Sequence, residues 1–178
     1  MSKTNNFVFW GLYTVAWLIF VGLSIEAGGL IVNFFFSLYK PEFIQNLYQK
    51  LDLTEMYKES SFAFFGIYSF ILIISILKAY LFYIVISLMH KMDRSKPFNT
   101  FVAGQISQIS YYTLSIGLLS YIARQLTKTL MHHGFVPNNL NQFWEDSHAF
   151  ILMGAVIYII ATIFNKGVDI QNENDLTV

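Results

Sequence analysis

The sequence predicts an all-α fold: an integral membrane bundle of four transmembrane helices, with a short amphipathic helix in the first long loop. Composition is the first reason, since 55% of the 178 residues are hydrophobic and only 12% are charged. Soluble domains average about 25% charged residues, and a short soluble chain could not bury so much apolar surface. The second reason is that the apolar residues form four long runs, which are typical of spanning helices rather than of alternating barrel strands.

Net charge and cysteine content exclude several classes of protein. The chain has 11 basic and 11 acidic residues, so no overall positive field attracts nucleic acid, and we predict no direct contact with it. The absence of cysteine removes disulfides, thiolate metal sites and cysteine nucleophiles. Phosphate-binding loops and nucleophile elbows are also missing from the sequence. We therefore predict a protein without enzymatic activity and without a cofactor.

The first helix is predicted at about 7–36 and contains the run "FVFWGLYTVAWLIFVGLSI", from Phe7 to Ile25. This run is about long enough to cross a hydrocarbon core of roughly 30 Å. It is too long for the apolar region of a signal peptide, and no small-residue cleavage site follows it, so an uncleaved helix is expected. Gly28 and Gly29 permit a bend, after which the helix continues or lies in the membrane interface.

The first long connection is the segment "KPEFIQNLYQKLDLTEMYKESS", residues 40–61. Its apolar side chains recur at helical spacing, namely Ile44, Leu47, Tyr48 and Leu51. This pattern predicts an amphipathic helix over 42–52 that lies along the outer surface of the membrane.

Three further helices are predicted at about 62–89, 100–126 and 147–165, followed by a polar tail at 166–178. Lys78 interrupts the second helix, and the third helix is the most polar. Trp144 and Lys166 flank the last helix, where they suit the headgroup region. The connections are short enough to join antiparallel neighbours, so residues 1–178 are expected to form one membrane domain with up-and-down topology.

The distribution of positive charge predicts that both termini are cytoplasmic. Lysine and arginine are equally numerous on the two predicted sides, so their number does not decide the orientation. Their density does, because Lys91, Arg94 and Lys96 crowd into one short turn, whereas acidic residues dilute the positive charges of the first long loop.

Polar residues occupy one face of the third helix. Gln105, Gln108, Tyr112 and Ser115 follow one another at positions i, i+3, i+7 and i+10. We expect this face to be buried between helices. It would serve either for interhelical hydrogen bonds or as the wall of a polar cavity for a small ligand.

Glu26 and Lys78 are the charged residues closest to membrane depth. An ionisable group within the membrane is a functional hypothesis by default. Glu26 follows a run that already spans the membrane, so it is expected at headgroup level. Lys78 is expected to extend toward the side of Lys91, and an ion pair between Glu26 and Lys78 is the alternative.

The histidines include weak candidates for metal ligands. Glu145 and His148 form a Glu-x-x-His pattern on one helical face, and His132 or His133 would have to supply a third ligand. Histidines that simply lie in the membrane interface are the preferred interpretation, so no metal site is predicted.

The stretch "SKPFN" opens the third helix. Pro97 suits the residues just before a helix or its first turn, and Asn99 can cap the helix with its side-chain oxygen. Pro97, Phe98 and Asn99 therefore predict a rigid, capped turn. A docking site for a cytoplasmic partner is the alternative.

Two stretches, "KPFN" at 96–99 and "KGVDIQNENDLTV" at 166–178, together resemble domain-of-unknown-function family 2975. Gly167, Ile170, Gln171 and the residues from Glu173 onward fit the tail of that family, with Ile170 in place of a leucine. The resemblance extends over essentially the whole chain, although "NTFVAGQ" replaces the polar residues usual after the turn. It implies a small four-helix protein of the bacterial inner membrane, without a known activity, and often encoded beside a short helix-turn-helix regulator of the Cro/C1 kind.

The tail is the predicted partner-binding segment. It combines acidic side chains with apolar ones in the residues Glu173, Asn174, Asp175, Leu176, Thr177 and Val178. Such a segment could bind the basic surface of a helix-turn-helix protein, either as an added strand or through its terminal carboxylate. The resulting hypothesis is a membrane sensor or anchor for such a regulator. The alternatives are a small-molecule transporter that uses the Gln105 face and, in last place, an enzyme that uses Glu145 and His148.

Overall fold

The computed structural model describes residues 3–39, 53–93, 97–132 and 140–176. Within these ranges the regular structure is entirely helical, which confirms the predicted all-α class. It comprises five α-helices and one 3-10 helix, in the order α1 (Lys3–Tyr39), α2 (Thr54–Glu59), α3 (Ser61–Lys91), α4 (Thr100–His132), the 3-10 helix (Leu140–Phe143) and α5 (Ser147–Leu176).

Three of the helical segments are long and apolar enough to cross a membrane, by length and composition: Asn6–Tyr39, Ser61–Lys91 and Leu140–Asn174. Four spanning helices were predicted. The remaining long helix, α4, has 33 residues, but glutamine, serine, threonine and tyrosine interrupt its apolar sequence. The four long helices have 30 to 37 residues, whereas about 20 suffice to cross a bilayer. Each of the four is therefore longer than a single crossing requires.

Successive long helices are antiparallel. At one end, the Tyr13 hydroxyl near the start of α1 lies 3.5 Å from Nδ1 of His90 near the end of α3. At the opposite end, the Tyr68 hydroxyl of α3 donates to the Leu30 carbonyl of α1 over 3.0 Å. The start of α1 and the end of α5 lie at the same end of the molecule, called the arm end below. The opposite end is called the core end.

The long helices form an open row rather than a closed bundle. In the ranges that the structure describes, α1 packs on α3, α3 on α4, and α4 on α5, without an extensive contact between α1 and α5. The prediction of antiparallel neighbours is confirmed. A bundle would also bring α1 and α5 together, but in lipid, which is as apolar as a leucine side chain, no hydrophobic force would do so.

The contact between α4 and α5 is built from small residues. Three residues of each helix, spaced seven apart, are small and buried: Ala103, Ser110 and Gly117 on α4, and Ser147, Gly154 and Ala161 on α5. Small side chains allow two helix backbones to approach closely, which is how helices associate in lipid. A seven-residue repeat also keeps such a seam in register along the helix pair.

Large side chains form a hydrophobic cluster at the core end of the molecule. Leu30 of α1, Phe64 and Tyr68 of α3, and Leu140 and Trp144 beside the 3-10 helix are buried together in one cluster. Leu53 and Met56 add the short helix α2 to this cluster. The core end therefore resembles the interior of a soluble protein.

The predicted amphipathic helix at 42–52 falls wholly in residues 40–52, which lie outside the described ranges. The short helix α2, Thr54–Glu59, follows them and was not predicted. The bend permitted by Gly28 and Gly29 does not interrupt α1, which continues to Tyr39.

Candidate functional site

The turn before α4 has the capped geometry that the sequence predicts. The side-chain oxygen Oδ1 of Asn99 accepts a hydrogen bond from the backbone N–H of Val102 over 2.9 Å. This contact satisfies one of the backbone donors left without a partner at a helix start. Residues 94–96, which include Arg94 and Lys96, lie outside the described ranges, whereas Pro97, Phe98 and Asn99 lie within them.

Phe98 joins this turn to α5. Its ring stacks on the ring of Phe164, with centroids 4.7 Å apart and planes inclined by 24°. One turn further along α5, a Cβ atom on Gly167 would lie 3.5 Å from the Phe98 ring. The turn and the base of the predicted tail are thus one packed unit, although they are distant in sequence.

The predicted polar tail is helical. The prediction ended the fourth helix at about 165, but α5 continues without interruption to Leu176. It was too short because it ended the helix where apolarity ends, while the following residues contain no proline and Gly167 is held against Phe98. The helical segment Asn165–Leu176, called the arm below, extends about 18 Å beyond Phe164.

The surface of the arm is mostly polar and acidic. Asp169 and Glu173 are exposed and lie one helical turn apart on the same face, whereas Val168 is buried at the base of the arm. Ile170 is 60% exposed between them. The residues up to Leu176 are helical, while Thr177 and Val178 lie outside the described ranges.

The polar face of α4 is not buried as predicted. Gln108 and Ser115 are exposed, and Gln105 and Tyr112 are only half-buried. Tyr112 packs edge-on against Tyr80 of α3, with ring centroids 5.0 Å apart. The prediction fails because α4 buries a different face, which includes the small residues Ala103, Ser110 and Gly117. The polar face with Gln108 and Ser115 therefore lies on the outside of the helix row.

Lys78 faces the core end rather than the arm end. Its Nζ lies 5.7 Å from the centre of the Phe150 ring, in the first turns of α5. Glu26 on α1 and Asp146 are acidic residues whose charges act on it. The expected extension toward Lys91 is wrong because helical side chains point toward the start of their own helix, which for α3 is the core end.

An apolar groove runs between α3 and α5, and α4 forms its floor. Its volume is about 410 Å³. Leu81 and Val85 line it from α3, Ile109 and Thr113 from α4, and Phe150 from α5. The Thr113 hydroxyl donates to the Ile109 carbonyl over 2.7 Å, so it is engaged within its own helix. Asp146 is the charged residue in the lining.

The histidine set does not form a metal site within the described residues, where no three His, Asp or Glu side chains cluster as a metal ion would require. The ring of His148 packs edge-on against Tyr121, with centroids 5.7 Å apart. Glu145 lines a separate polar cleft with Arg124 and Lys128. His133 lies outside the described ranges, and the structure does not describe the side chain of His132.

Sequence reasoning missed Phe164, Asp146 and Phe150. Phe164 is one of 18 phenylalanines, and only the fold brings it beside Phe98. Asp146 precedes the start of α5 and Phe150 follows it. Their role becomes visible only when the fold places Lys78 of α3 beside them. The seven-residue spacing of small residues on α4 and α5 was the signal that could have revealed the close contact between these two helices.

Residues 48–178 match the family model described as "Protein of unknown function (DUF2975)". Neither a curated protein nor a solved structure matches the chain.

Proposed function

The chain belongs to the DUF2975 family, and from this premise we propose a non-enzymatic protein of the bacterial inner membrane that holds a cytoplasmic regulator on its helical arm. The observation that carries the proposal is the stack of Phe98 on Phe164, because it ties the arm to the membrane helices. An arm fixed in this way can report a shift of α4 against α5, so the roles of anchor and sensor are compatible.

In this proposal the chain crosses the membrane four times, because α4 packs between two helices that cross. Three helical segments are apolar enough to cross. The more polar α4 lies antiparallel between two of them, α3 and α5, and packs on both. It therefore crosses with its neighbours, and its small-residue seam replaces lipid contact with protein contact.

The arm end is the cytoplasmic end in this proposal. Lys91 and Lys166 lie there, and Arg94 and Lys96 follow Lys91 closely in sequence. The Lys91 Nζ lies 6.0 Å from the centre of the Phe101 ring, which keeps this positive charge beside the start of α4. Positive residues near membrane helices favour the cytoplasmic side, so the arm faces the cytoplasm.

The chemistry of the arm suits a basic partner. Asp169 and Glu173 present two negative charges on one face, and the exposed Ile170 adds an apolar contact. A helix-turn-helix regulator carries a basic surface that otherwise contacts DNA phosphates. The arm would bind such a protein in its helical form, not as a strand added to a sheet of the partner. Binding would hold the regulator at the membrane and away from DNA.

The test is co-sedimentation of the neighbouring regulator with membranes that contain the full-length protein. The double variant Asp169→Asn and Glu173→Gln removes the charges but preserves side-chain shape. We expect the sedimenting fraction of regulator to fall severalfold, and to stay unchanged with Glu145→Gln at the core end. Equal sedimentation of the regulator with the arm variant and the unchanged protein would overturn the proposal.

The transporter alternative receives no support from the face on which it rested. Gln108 and Ser115 are exposed on the outside of the helix row, not around a space between helices. We therefore do not propose transport.

A further inference from the structure

The groove between α3 and α5 combines an apolar wall with one carboxylate. Its volume of about 410 Å³ lies in the range of roughly 300–1,000 Å³ that is usual for small-molecule sites. Three helices line it, with Leu81 from α3, Ile109 from α4 and Phe150 from α5. The lining is suited to a hydrocarbon chain, and its open side would admit such a chain from the surrounding lipid.

Asp146 gives the groove its polar end. Its main-chain carbonyl accepts the first hydrogen bond of α5, from the N–H of Phe150 over 3.0 Å. It therefore occupies the capping position of the helix, and its side chain is exposed. A molecule that lies along the groove would place one end against this carboxylate.

The charge balance around the groove favours a cation. Lys78 lies beside the groove over Phe150, but it is not part of the lining. Glu26 of α1 and Asp146 both act on the Lys78 charge. The three residues together carry one negative charge in excess, and Asp146 is the member that faces the groove.

We infer that this groove binds a single-chain amphiphile with a cationic head, whose alkyl chain lies between α3 and α5 and whose head contacts Asp146. A cationic head matches the excess carboxylate, whereas an anionic head would meet Asp146 with a like charge. The site does not depend on the arm, which lies at the opposite end of the molecule. The inference is therefore independent of the proposed tethering of a regulator.

The experiment uses the full-length protein in phosphatidylcholine nanodiscs and three photoreactive probes with the same dodecyl chain. Their heads are trimethylammonium, sulfate and hydroxyl, and mass spectrometry measures the saturable labelling of residues 146–157. We expect severalfold more labelling by the trimethylammonium probe than by either of the others. Equal labelling by all three probes would leave an ordinary contact with lipid chains and overturn the inference.

Two pairs of variants locate the head and the chain. Asp146→Asn keeps a good helix-capping residue and should reduce labelling by the trimethylammonium probe severalfold, while Glu145→Gln, its neighbour in the other cleft, should not. Ala149→Phe fills the groove and should block labelling, while Leu152→Phe, at a position 69% exposed and outside the lining, should not. If the Asp146→Asn and Ala149→Phe variants were both labelled as strongly as the unchanged protein, the probe would bind elsewhere and the inference would be wrong.

Discussion

Gly154 on α5 faces Leu114 on α4 at a distance that leaves no room for a side chain. A Cβ atom on Gly154 would lie 2.8 Å from the backbone nitrogen of Leu114. The arrangement is reciprocal, because a Cβ atom on Gly117 of α4 would lie 2.7 Å from the backbone nitrogen of Ile151 on α5. These two glycines fix the distance between the helices, and the distance in turn places Phe164 under Phe98.

The first prediction concerns this close approach. Gly154→Ala forces the two helices apart, and overpacking of this kind costs about 1–3 kcal/mol. The helix preference of alanine offsets part of this cost, so the free energy of unfolding in mixed micelles should fall by up to about 2 kcal/mol. Alanine favours helix over glycine by about 1 kcal/mol, so the measured loss reports the clash after this gain is deducted.

Gly104→Ala is the matched control, because it lies on α4 and a Cβ atom there meets nothing within 4 Å. This variant should be as stable as the unchanged protein or slightly more so. If Gly154→Ala and Gly104→Ala changed the unfolding free energy equally, the close approach of α4 and α5 would be contradicted.

The second prediction concerns the hydrogen bond across the same seam. The Ser110 hydroxyl is buried and donates to the Gly154 carbonyl over 3.1 Å. Hydrogen bonds between membrane helices average about 0.6 kcal/mol. Ser110→Ala should lower the unfolding free energy by roughly that amount in the same assay. Ser115→Ala, at an exposed position of α4, should leave it unchanged.

The existence of the long helices and the starts of three of them could be predicted from the sequence. Lipid requires each backbone polar group to find a partner within its own helix, so a long apolar run is sufficient. The helices that begin at Ser61, Thr100 and Ser147 start within one residue of the prediction. Their ends at His132 and Leu176 lie well beyond it, because helical hydrogen bonding continues into polar sequence.

The buried face of α4 could not be predicted from polarity. Within lipid, close packing decides which face is buried, so residue size is the relevant property. Ala103, Ser110 and Gly117 therefore turn toward α5, whereas Gln108 lies outside. The contact of Phe98 with Phe164 depends on this packing as well, so sequence reasoning found the turn and the tail without finding that they touch.

The third prediction concerns the contact between α1 and α3. The Tyr68 hydroxyl is buried and donates to the Leu30 carbonyl, while the Tyr68 ring stacks on Phe34 with centroids 5.4 Å apart. Tyr68→Phe removes the hydrogen bond and keeps the ring. The unfolding free energy should fall by about 1 kcal/mol. Tyr111→Phe, at an exposed position, should have no effect, and an equal loss from both would contradict a specific role of the bond.

The fourth prediction concerns the base of the arm. Phe98→Ala removes the ring that stacks on Phe164 and lies against Gly167. The arm should then lose its support, and hydrogen exchange of the backbone amides at 166–174 should become severalfold faster.

Phe7→Ala serves as the control, because Phe7 is exposed at the same end of the molecule. Exchange in the arm should be unaffected by it. Slow exchange in the Phe98→Ala variant would mean that the arm is helical without the turn, and the coupling of the two would be wrong.

The last prediction concerns orientation, and the absence of native cysteine makes it direct to test. Gln142 and Asn172 are both exposed, and α5 runs between them. With the arm in the cytoplasm, a cysteine at Gln142 should react with an impermeant maleimide in intact cells, whereas one at Asn172 should react only after permeabilisation. The reverse pattern would place the arm outside the cell, where it could not hold a regulator of transcription. Reaction of both cysteines in intact cells would mean that α5 does not cross the membrane, because a spanning helix separates its two ends by the hydrocarbon core of roughly 30 Å.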